Sequence, residues 1–121
     1  MILIVEDDAD LRRMFRTALV FEGFDVEEAG DGYRALHFID QHTPDAIVLD
    51  LGLPTVSGHF VLQDLAARAH TRRIPVVIVT GLPGDHNGLG VACVLTKPVT
   101  PERLVGTVRS CLAAGTASMG S

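Results

Sequence analysis

The sequence has no long hydrophobic run, although 47% of its 121 residues are hydrophobic. A transmembrane helix needs about 18 or more consecutive apolar residues, and no stretch comes near this, so we expect no membrane partner. The opening stretch MILIV is too short for the core of a signal peptide, and acidic residues follow it at once. We therefore expect a cytoplasmic protein, long enough to form one domain with a single core.

Cysteine and clustered basic charge are also scarce. Cys93 and Cys111 are the two cysteines, and they form no Cys-x-x-Cys or Cys/His pattern. We expect both to be reduced thiols, buried or half-buried. Fifteen acidic residues against ten Lys and Arg give a formal net charge of −5, and the basic residues are scattered. Because nucleic-acid binding needs a basic patch or stripe, we expect no direct nucleic-acid binding by this chain.

Short apolar runs rich in β-branched residues recur along the chain. ILIV (2–5), AIVLD (46–50) and VVIVT (76–80) predict strands that are covered on both faces, as in a parallel sheet. FDVEEA (24–29) alternates between apolar and polar residues and predicts an edge strand, while VACVL (91–95) is a candidate fifth strand. Helical patterns separate these runs. The alternation of strands and helices predicts a doubly wound α/β domain.

The helical patterns begin at residues suited to cap a helix N-terminus. These are Asp8 or Asp10, Asp31, Ser57 and Thr100. On the helix after Ser57 we expect Phe60 and Val61 to lie on the buried face. The small and polar residues 114–121 predict a flexible tail, which leaves residues 1–113 as the folded domain.

Each predicted buried strand ends in polar residues. Glu6 and Asp7 follow the first strand, Asp50 and Thr80 end two others, and Lys97 follows the last. In a parallel α/β sheet these groups meet at one edge, and neighbouring carboxylates commonly share a cation, here best Mg²⁺. A metal, a lysine and a hydroxyl around one aspartate form a receptacle for a phosphoryl group, with Asp50 as nucleophile. A solvated acidic loop is the alternative for any pair of these residues, but a poor one for all four strand ends.

Four segments in this order make the sequence resemble the CheY-like receiver domain of two-component response regulators. They are ILIVEDD (2–8), IVLDLGLPTVSG (47–58), VVIVTG (76–81) and LTKP (95–98). The separations of 43 residues from Asp7 to Asp50 and 30 from Asp50 to Thr80 also agree with the family. The resemblance implies a flavodoxin-like fold with five parallel strands in the order 2-1-3-4-5.

The resemblance also implies a function as a phosphorylation-controlled signalling switch. Asp50 would accept a phosphoryl group from the phosphohistidine of a sensor histidine kinase or phosphotransfer protein, and Thr80 and Lys97 would contact phosphoryl oxygens. The peptide bond from Lys97 to Pro98 would be cis, which would place the lysine. Beyond reaction with small phosphodonors and slow self-dephosphorylation, no enzymatic activity is implied. A downstream effector would read the signal from a monomer or weak homodimer.

A magnesium ion would complete the implied phosphorylation site. Asp7 would bind Mg²⁺ directly and Glu6 through water. Asp50 and the backbone carbonyl of Gly52 would supply further ligands.

One segment, GLPGDHNGLG (81–90), departs from the family pattern. Receivers usually have a longer interval here, with a helix that crosses over to the fifth strand and an aromatic residue where this chain has Val94. Ten residues of helix would rise about 15 Å, less than the roughly 17–20 Å of a typical strand, and the glycines oppose helix formation. We predict that this crossover helix, the fourth helix of the family, is absent or about one turn long. Phosphorylation would then survive while output through this face is altered.

Two alternatives remain open at this point. One is a degenerate receiver that acts as a phosphorylation-independent interaction module. The other is a flavodoxin-like binder or Mg²⁺-dependent phosphatase, although the chain has neither a DxDxT-type pair nor a phosphate-binding loop after its first strand.

Overall fold

The computed structural model describes residues 1–81 and 93–119, the last five of these by their backbone alone. Strands and helices alternate along the described chain. The strands are β1 (Ile2–Val5), β2 (Val26–Ala29), β3 (Ala46–Asp50), β4 (Val76–Thr80) and β5 (Cys93–Thr96). The helices are α1 (Ala9–Phe21), α2 (Gly32–Gln41), α3 (Gly58–Ala67) and a C-terminal helix (Pro101–Met119).

The five strands form one parallel sheet in the order β2-β1-β3-β4-β5. This confirms the predicted doubly wound α/β fold and its strand order. All residues of β1, β3 and β4 are buried, whereas the middle of the edge strand β2 is exposed. The continuous apolar runs thus belong to the central strands and the alternating run to an edge, as expected for a sheet covered on both faces.

Two hydrophobic layers cover the sheet, because successive side chains of a strand point to opposite faces. Ile2 and Ile4 pack in one layer with residues of α1 and the C-terminal helix, while Leu3 and Val5 pack in the other with residues of α2 and α3. Each face therefore has its own core. The carboxyl ends of the strands are left at one edge, where loops carry the polar residues.

The predicted N-terminal caps are all present. Side-chain oxygens accept a hydrogen bond from the backbone N–H two or three residues later at Asp8, Asp31, Ser57 and Thr100. Of the two candidates for α1, Asp8 is the cap. Each such bond contributes about 1 kcal/mol to helix stability. The caps Asp8 and Ser57 determine where the loops after β1 and β3 end.

The structure differs from the sequence-based expectations at one place. The Phe60 residue is 54% exposed rather than buried, because Val61, Leu62 and Leu65 form the inner face of α3. The C-terminal helix is described from Pro101 to Met119, and the flexible tail after residue 113 stays a prediction. The domain boundary itself stays a prediction.

The predicted shortening of the crossover helix concerns residues outside the described ones, since the structure describes nothing between residue 81 and Cys93. In the described ranges, none of the helices has the length and apolar character needed to cross a lipid bilayer.

Candidate functional site

The carboxyl ends of the strands bring the predicted site residues to one edge of the sheet. Asp50 is the last residue of β3 and pairs with Val79 of β4, so Thr80 is the next residue along the neighbouring strand. Asp50 and Thr80 are both buried, at 4% and 0% exposure. The amide of Lys97 donates to the carbonyl of Thr80 at 2.8 Å. The sheet register thus places Asp50, Thr80 and Lys97 on three adjacent strand ends.

Lys97 reaches across this edge to two carboxylates. Its Nζ lies 2.9 Å from Glu6 Oε1 and 3.4 Å from Asp50 Oδ2. The peptide bond from Lys97 to Pro98 is cis, as the resemblance implied. Partial burial lowers the pKa of the Lys97 ammonium, but the close contact with the Glu6 carboxylate and the charge of Asp50 outweigh this and raise the pKa overall. The lysine is therefore a permanent cation at neutral pH.

The Asp50 carboxylate is held in one orientation from its own loop. The amide of Gly52 donates to Asp50 Oδ1 at 2.9 Å, while Oδ2 faces Lys97. Gly58, the first residue of α3, packs directly on the same backbone, since a Cβ there would lie 2.2 Å from the Asp50 carbonyl oxygen. The loop from Asp50 to α3 can close this tightly only with glycine at position 58.

Glu6 is a buried carboxylate with one weakly satisfied oxygen. Its Oε2 accepts the amide of Asp8 at 3.2 Å. Its Oε1 forms the ion pair with Lys97 but has no hydrogen bond of acceptable angle among the described residues. Burial is the main cause that raises the pKa of Glu6 to about 7, with the negative charge of Asp50 adding to it and Lys97 opposing it. Such a carboxyl gains from a second cation.

Glu6, Asp7 and Asp50 together fit a hard divalent cation. Each offers a carboxylate oxygen, and these oxygens lie within 4.8 Å of one another, with Asp7 exposed and the other two buried. All-oxygen donors and one open side suit Mg²⁺, which retains several waters. The observation that favours a second cation here is that two of these carboxylates are buried close together, with Lys97 as the cation that contacts both in the described part of the chain.

The sequence matches a model of the family described as "Response regulator receiver domain" over residues 2–109. The chain belongs to the response regulator receiver domain family. Receivers are the signalling domains of two-component systems.

Named relatives and solved structures agree with this membership. The receiver is 33% identical over 116 residues to "Probable transcriptional regulator ycf27" of Porphyridium aerugineum, covering 92% of this chain but 47% of that protein. The chain thus spans about half the length of that relative. It is 32% identical to "Polar-differentiation response regulator DivK" of Brucella anthropi, covering 92% and 94% of the two chains.

Among solved structures, a CheY-like receiver domain protein from Methanospirillum hungatei JF-1 superimposes with a TM-score of 0.88 at 25% identity. The match covers 97% of this receiver and 96% of that chain. A putative response regulator from Chloroflexus aurantiacus J-10-fl gives a TM-score of 0.84 at 30% identity, covering 93% and 96%. The fold and the family therefore rest on independent comparisons.

Sequence reasoning missed one residue that contacts the acidic loop. Arg12 was counted only among the scattered basic residues of the sequence. In the receiver its guanidinium donates to the backbone carbonyl of Glu6 at 2.8 Å. No local sequence pattern indicates this contact, because the partners of Arg12 lie six residues earlier and on another strand.

Proposed function

We propose that this receiver accepts a phosphoryl group on Asp50 in a Mg²⁺-dependent reaction and works as a phosphorylation-controlled switch. The single observation that carries the proposal is the position of the Lys97 ammonium between Glu6 and Asp50, at the border of the three-carboxylate cluster. A phosphoryl group bound to Asp50 would take the place of the negative charge that Lys97 now contacts. The buried carboxylate, the fixed cation and the cluster match the parts that such a reaction needs.

The reaction is a phosphoryl transfer between two nucleophiles. An oxygen of the Asp50 carboxylate forms the bond to phosphorus while the phosphorus–nitrogen bond of a phosphohistidine breaks. The electron pair of that bond stays with the imidazole nitrogen, which takes up a proton. The Gly52 amide holds the Asp50 carboxylate in orientation, so little reorganisation is needed before attack.

Lys97 and Thr80 are proposed to bind the transferred group. Lys97 supplies a positive charge beside Asp50 Oδ2, where it would pair with an oxygen of the transferred group, over whose oxygens the negative charge of the transition state is spread. Thr80, buried at the end of β4, is proposed to donate its hydroxyl hydrogen to a phosphoryl oxygen.

Glu6, Asp7 and Asp50, with the carbonyl of Gly52, are the residues proposed to hold Mg²⁺. When bound, the metal would neutralise charge on the phosphoryl oxygens. Among the described residues, Lys97 is the cation that contacts both Glu6 and Asp50, so metal binding and phosphorylation would both change the contacts of the same lysine.

We also propose that the output of this receiver through the surface near β5 is altered. Val94, where the resemblance implies an aromatic residue, is half-buried and packs against the core layer that contains α2 and α3. It has neither a ring to reorient nor a polar group to expose. A backbone chemical-shift comparison with and without beryllofluoride and Mg²⁺ tests this, and a full family-like response around β5 would contradict it.

The partners follow from the proposed chemistry. We propose a sensor histidine kinase or phosphotransfer protein as phosphodonor and an effector protein or domain as recipient of the signal. The receiver itself would act in the cytoplasm as a monomer or weak homodimer, without direct contact to nucleic acid.

Incubation with acetyl phosphate and Mg²⁺, followed by intact mass measurement, tests the function. We expect an adduct of one HPO₃ on the wild type, formed as acetate leaves, and its loss in Asp50→Asn and with EDTA. Asp45→Asn is the matched control, because Asp45 directly precedes β3 and so lies at the amino ends of the strands, opposite the site. A wild type that never gains the adduct would instead support the phosphorylation-independent interaction module.

A further inference from the structure

Arg12 connects α1 to the loop that carries the acidic pair. Its Nη1 donates to the carbonyl oxygen of Glu6 at 2.8 Å, and its Nε donates to Glu28 Oε1 at 3.2 Å. Arg16, one turn later on α1, binds the other oxygen of Glu28 at 3.0 Å. The Arg12 side chain is 23% exposed. One guanidinium therefore joins the end of β1 to the edge strand β2.

The Glu6 carbonyl belongs to the same planar peptide unit as the amide of Asp7. Fixing that carbonyl fixes the plane from which the Asp7 side chain projects. The Glu6 amide is held on the other side by the carbonyl of Ala29 at 3.1 Å, and Asp8 is held as the cap of α1. Asp7, whose side chain is exposed, thus has its backbone anchored before and after it, and Arg12 is the side-chain part of that anchor.

We infer that Arg12 is a positioning residue for the Mg²⁺ ligands: its guanidinium holds the Glu6–Asp7 peptide so that both carboxylates keep the geometry the metal needs. The inference rests on the metal site of the proposed function. Mg²⁺ requires nearly octahedral ligands at short, narrowly defined distances. Groups that orient metal ligands commonly change metal affinity about 10-fold or more when they are removed.

Arg12 could influence the metal site through its charge or by positioning the peptide, and these two roles predict opposite changes in Mg²⁺ affinity when Arg12 is removed. If Arg12 mattered only as a positive charge near the carboxylates, its removal would make the site more negative and Mg²⁺ would bind more tightly. If it positions the peptide, its removal lets the loop move and Mg²⁺ binds more weakly. The sign of the change in Mg²⁺ affinity therefore decides between them.

Arg16 provides a matched control for Arg12. It lies on the same helix, carries the same charge and binds the same Glu28, but its backbone contact is the Val26 carbonyl at the start of β2 rather than Glu6. Arg12→Met and Arg16→Met remove the same charge and keep a similar aliphatic stem. A general effect of losing an α1–β2 ion pair would appear in both variants.

The experiment is a Mg²⁺ titration of the full chain, followed by the amide chemical shifts of residues 6–8. We expect Arg12→Met to raise the Kd about 5- to 10-fold and Arg16→Met to change it less than about twofold. Glu28→Gln keeps the Arg12 guanidinium but weakens its support, so we expect an intermediate rise. Urea unfolding in EDTA measures the stability of each metal-free variant separately. If Arg12→Met does not fold, the Mg²⁺ affinities of Arg12→Lys and Glu28→Gln supply the comparison.

An Arg12→Met Kd equal to that of Arg16→Met, or lower than that of the wild type, would overturn the positioning role. The acetyl phosphate assay keeps this result apart from the proposed function. A wild type that binds Mg²⁺ but forms no adduct contradicts phosphorylation and leaves the comparison of arginines readable. A normal adduct with equal Kd values for the two variants contradicts only the role of Arg12.

Discussion

Lys97 Nζ lies 2.9 Å from Glu6 Oε1, which joins the ends of two strands that are not neighbours in the sheet. β3 and β4 lie between β1 and β5, and the lysine spans that distance over the carboxylate of Asp50. A single cation thus balances two buried carboxylates contributed by separate strands. A bound Mg²⁺ would compete with Lys97 for the two carboxylates, and a phosphoryl group on Asp50 would give Lys97 a new negative partner.

Lys97→Met should therefore affect metal binding and phosphorylation in opposite directions. Without the ammonium, Glu6 and Asp50 lose the cation that contacts both of them in the described part of the chain, so we expect Mg²⁺ to bind several-fold more tightly. The rate of adduct formation from acetyl phosphate should fall 10-fold or more, because the charge beside Asp50 Oδ2 is lost. Calorimetric Mg²⁺ titration and intact mass time courses measure the two quantities.

Arg72→Met serves as the control for Lys97→Met. Arg72 is an exposed cation before β4, at the edge of the sheet opposite the site, so its removal should leave both quantities within about twofold. Weaker Mg²⁺ binding in Lys97→Met would show that the lysine organises the carboxylates rather than competing with the metal.

The buried Glu6 makes the stability of the metal-free receiver depend on pH. Burial raises the pKa of Glu6 from 4.5 to about 7, so between these values the folded state holds a proton that the unfolded state has released. Stability contributed by this group is fully present below about pH 4.5, decreases as pH rises through 7 and is lost above it. We expect a loss on the order of 2–3 kcal/mol.

Urea unfolding in EDTA at pH 5 and pH 8 measures this loss. Glu6→Gln cannot ionise, so its stability should change less than that of the wild type over the same interval. Mg²⁺ binds the ionised carboxylate, so added Mg²⁺ should restore wild-type stability at pH 8 more than at pH 5. Equal slopes for the wild type and Glu6→Gln would contradict the raised pKa.

The fold and the convergence of the candidate site residues at the strand ends could be predicted from the sequence because their signals are local. Continuous apolar runs mark the central strands, and the polar residue that ends each run lies at the sheet edge once the strands are parallel. Asp8, Asp31 and Ser57 were recognisable as caps from their own neighbourhoods. The separate comparison with the receiver family then supports the function that the ordered segments implied.

Other features could not be predicted because they depend on contacts between distant segments. Arg12 acts through a carbonyl six residues away and a carboxylate on another strand, which no local pattern encodes. Phe60 was placed on the wrong face because α3 has a weak apolar periodicity, with Val61 and Leu62 adjacent on its inner side. The raised pKa of Glu6 likewise required its burial to be known.

Two glycines in helices should respond in opposite ways to a methyl group. A Cβ at Gly58 would lie 2.2 Å from the Asp50 carbonyl oxygen and 2.6 Å from Leu51 Cα, whereas a Cβ at Gly106 has nothing within 4 Å. We expect Gly58→Ala to destabilise the receiver by more than about 2 kcal/mol and to slow adduct formation. Gly106→Ala, inside the C-terminal helix, should stabilise it by about 0.5–1 kcal/mol. Urea unfolding measures both, and a neutral Gly58→Ala would show that the loop after β3 can yield.

The two thiols should differ sharply in reactivity although they are neighbours. Cys111 is buried in the C-terminal helix, and burial, with a hydrogen bond and charge from Cys93, raises the pKa of its thiol to about 12. At pH 8 only about one molecule in 10⁴ then carries the reactive thiolate at Cys111. We expect iodoacetamide to modify the half-buried Cys93 first, and Cys111 only as the chain unfolds. Mass measurement of iodoacetamide-treated Cys93→Ser and Cys111→Ser, in native buffer and in urea, follows each thiol separately. Rapid labelling of Cys111 in native Cys93→Ser would contradict the burial of Cys111. Labelling of Cys111 only in urea would confirm that burial.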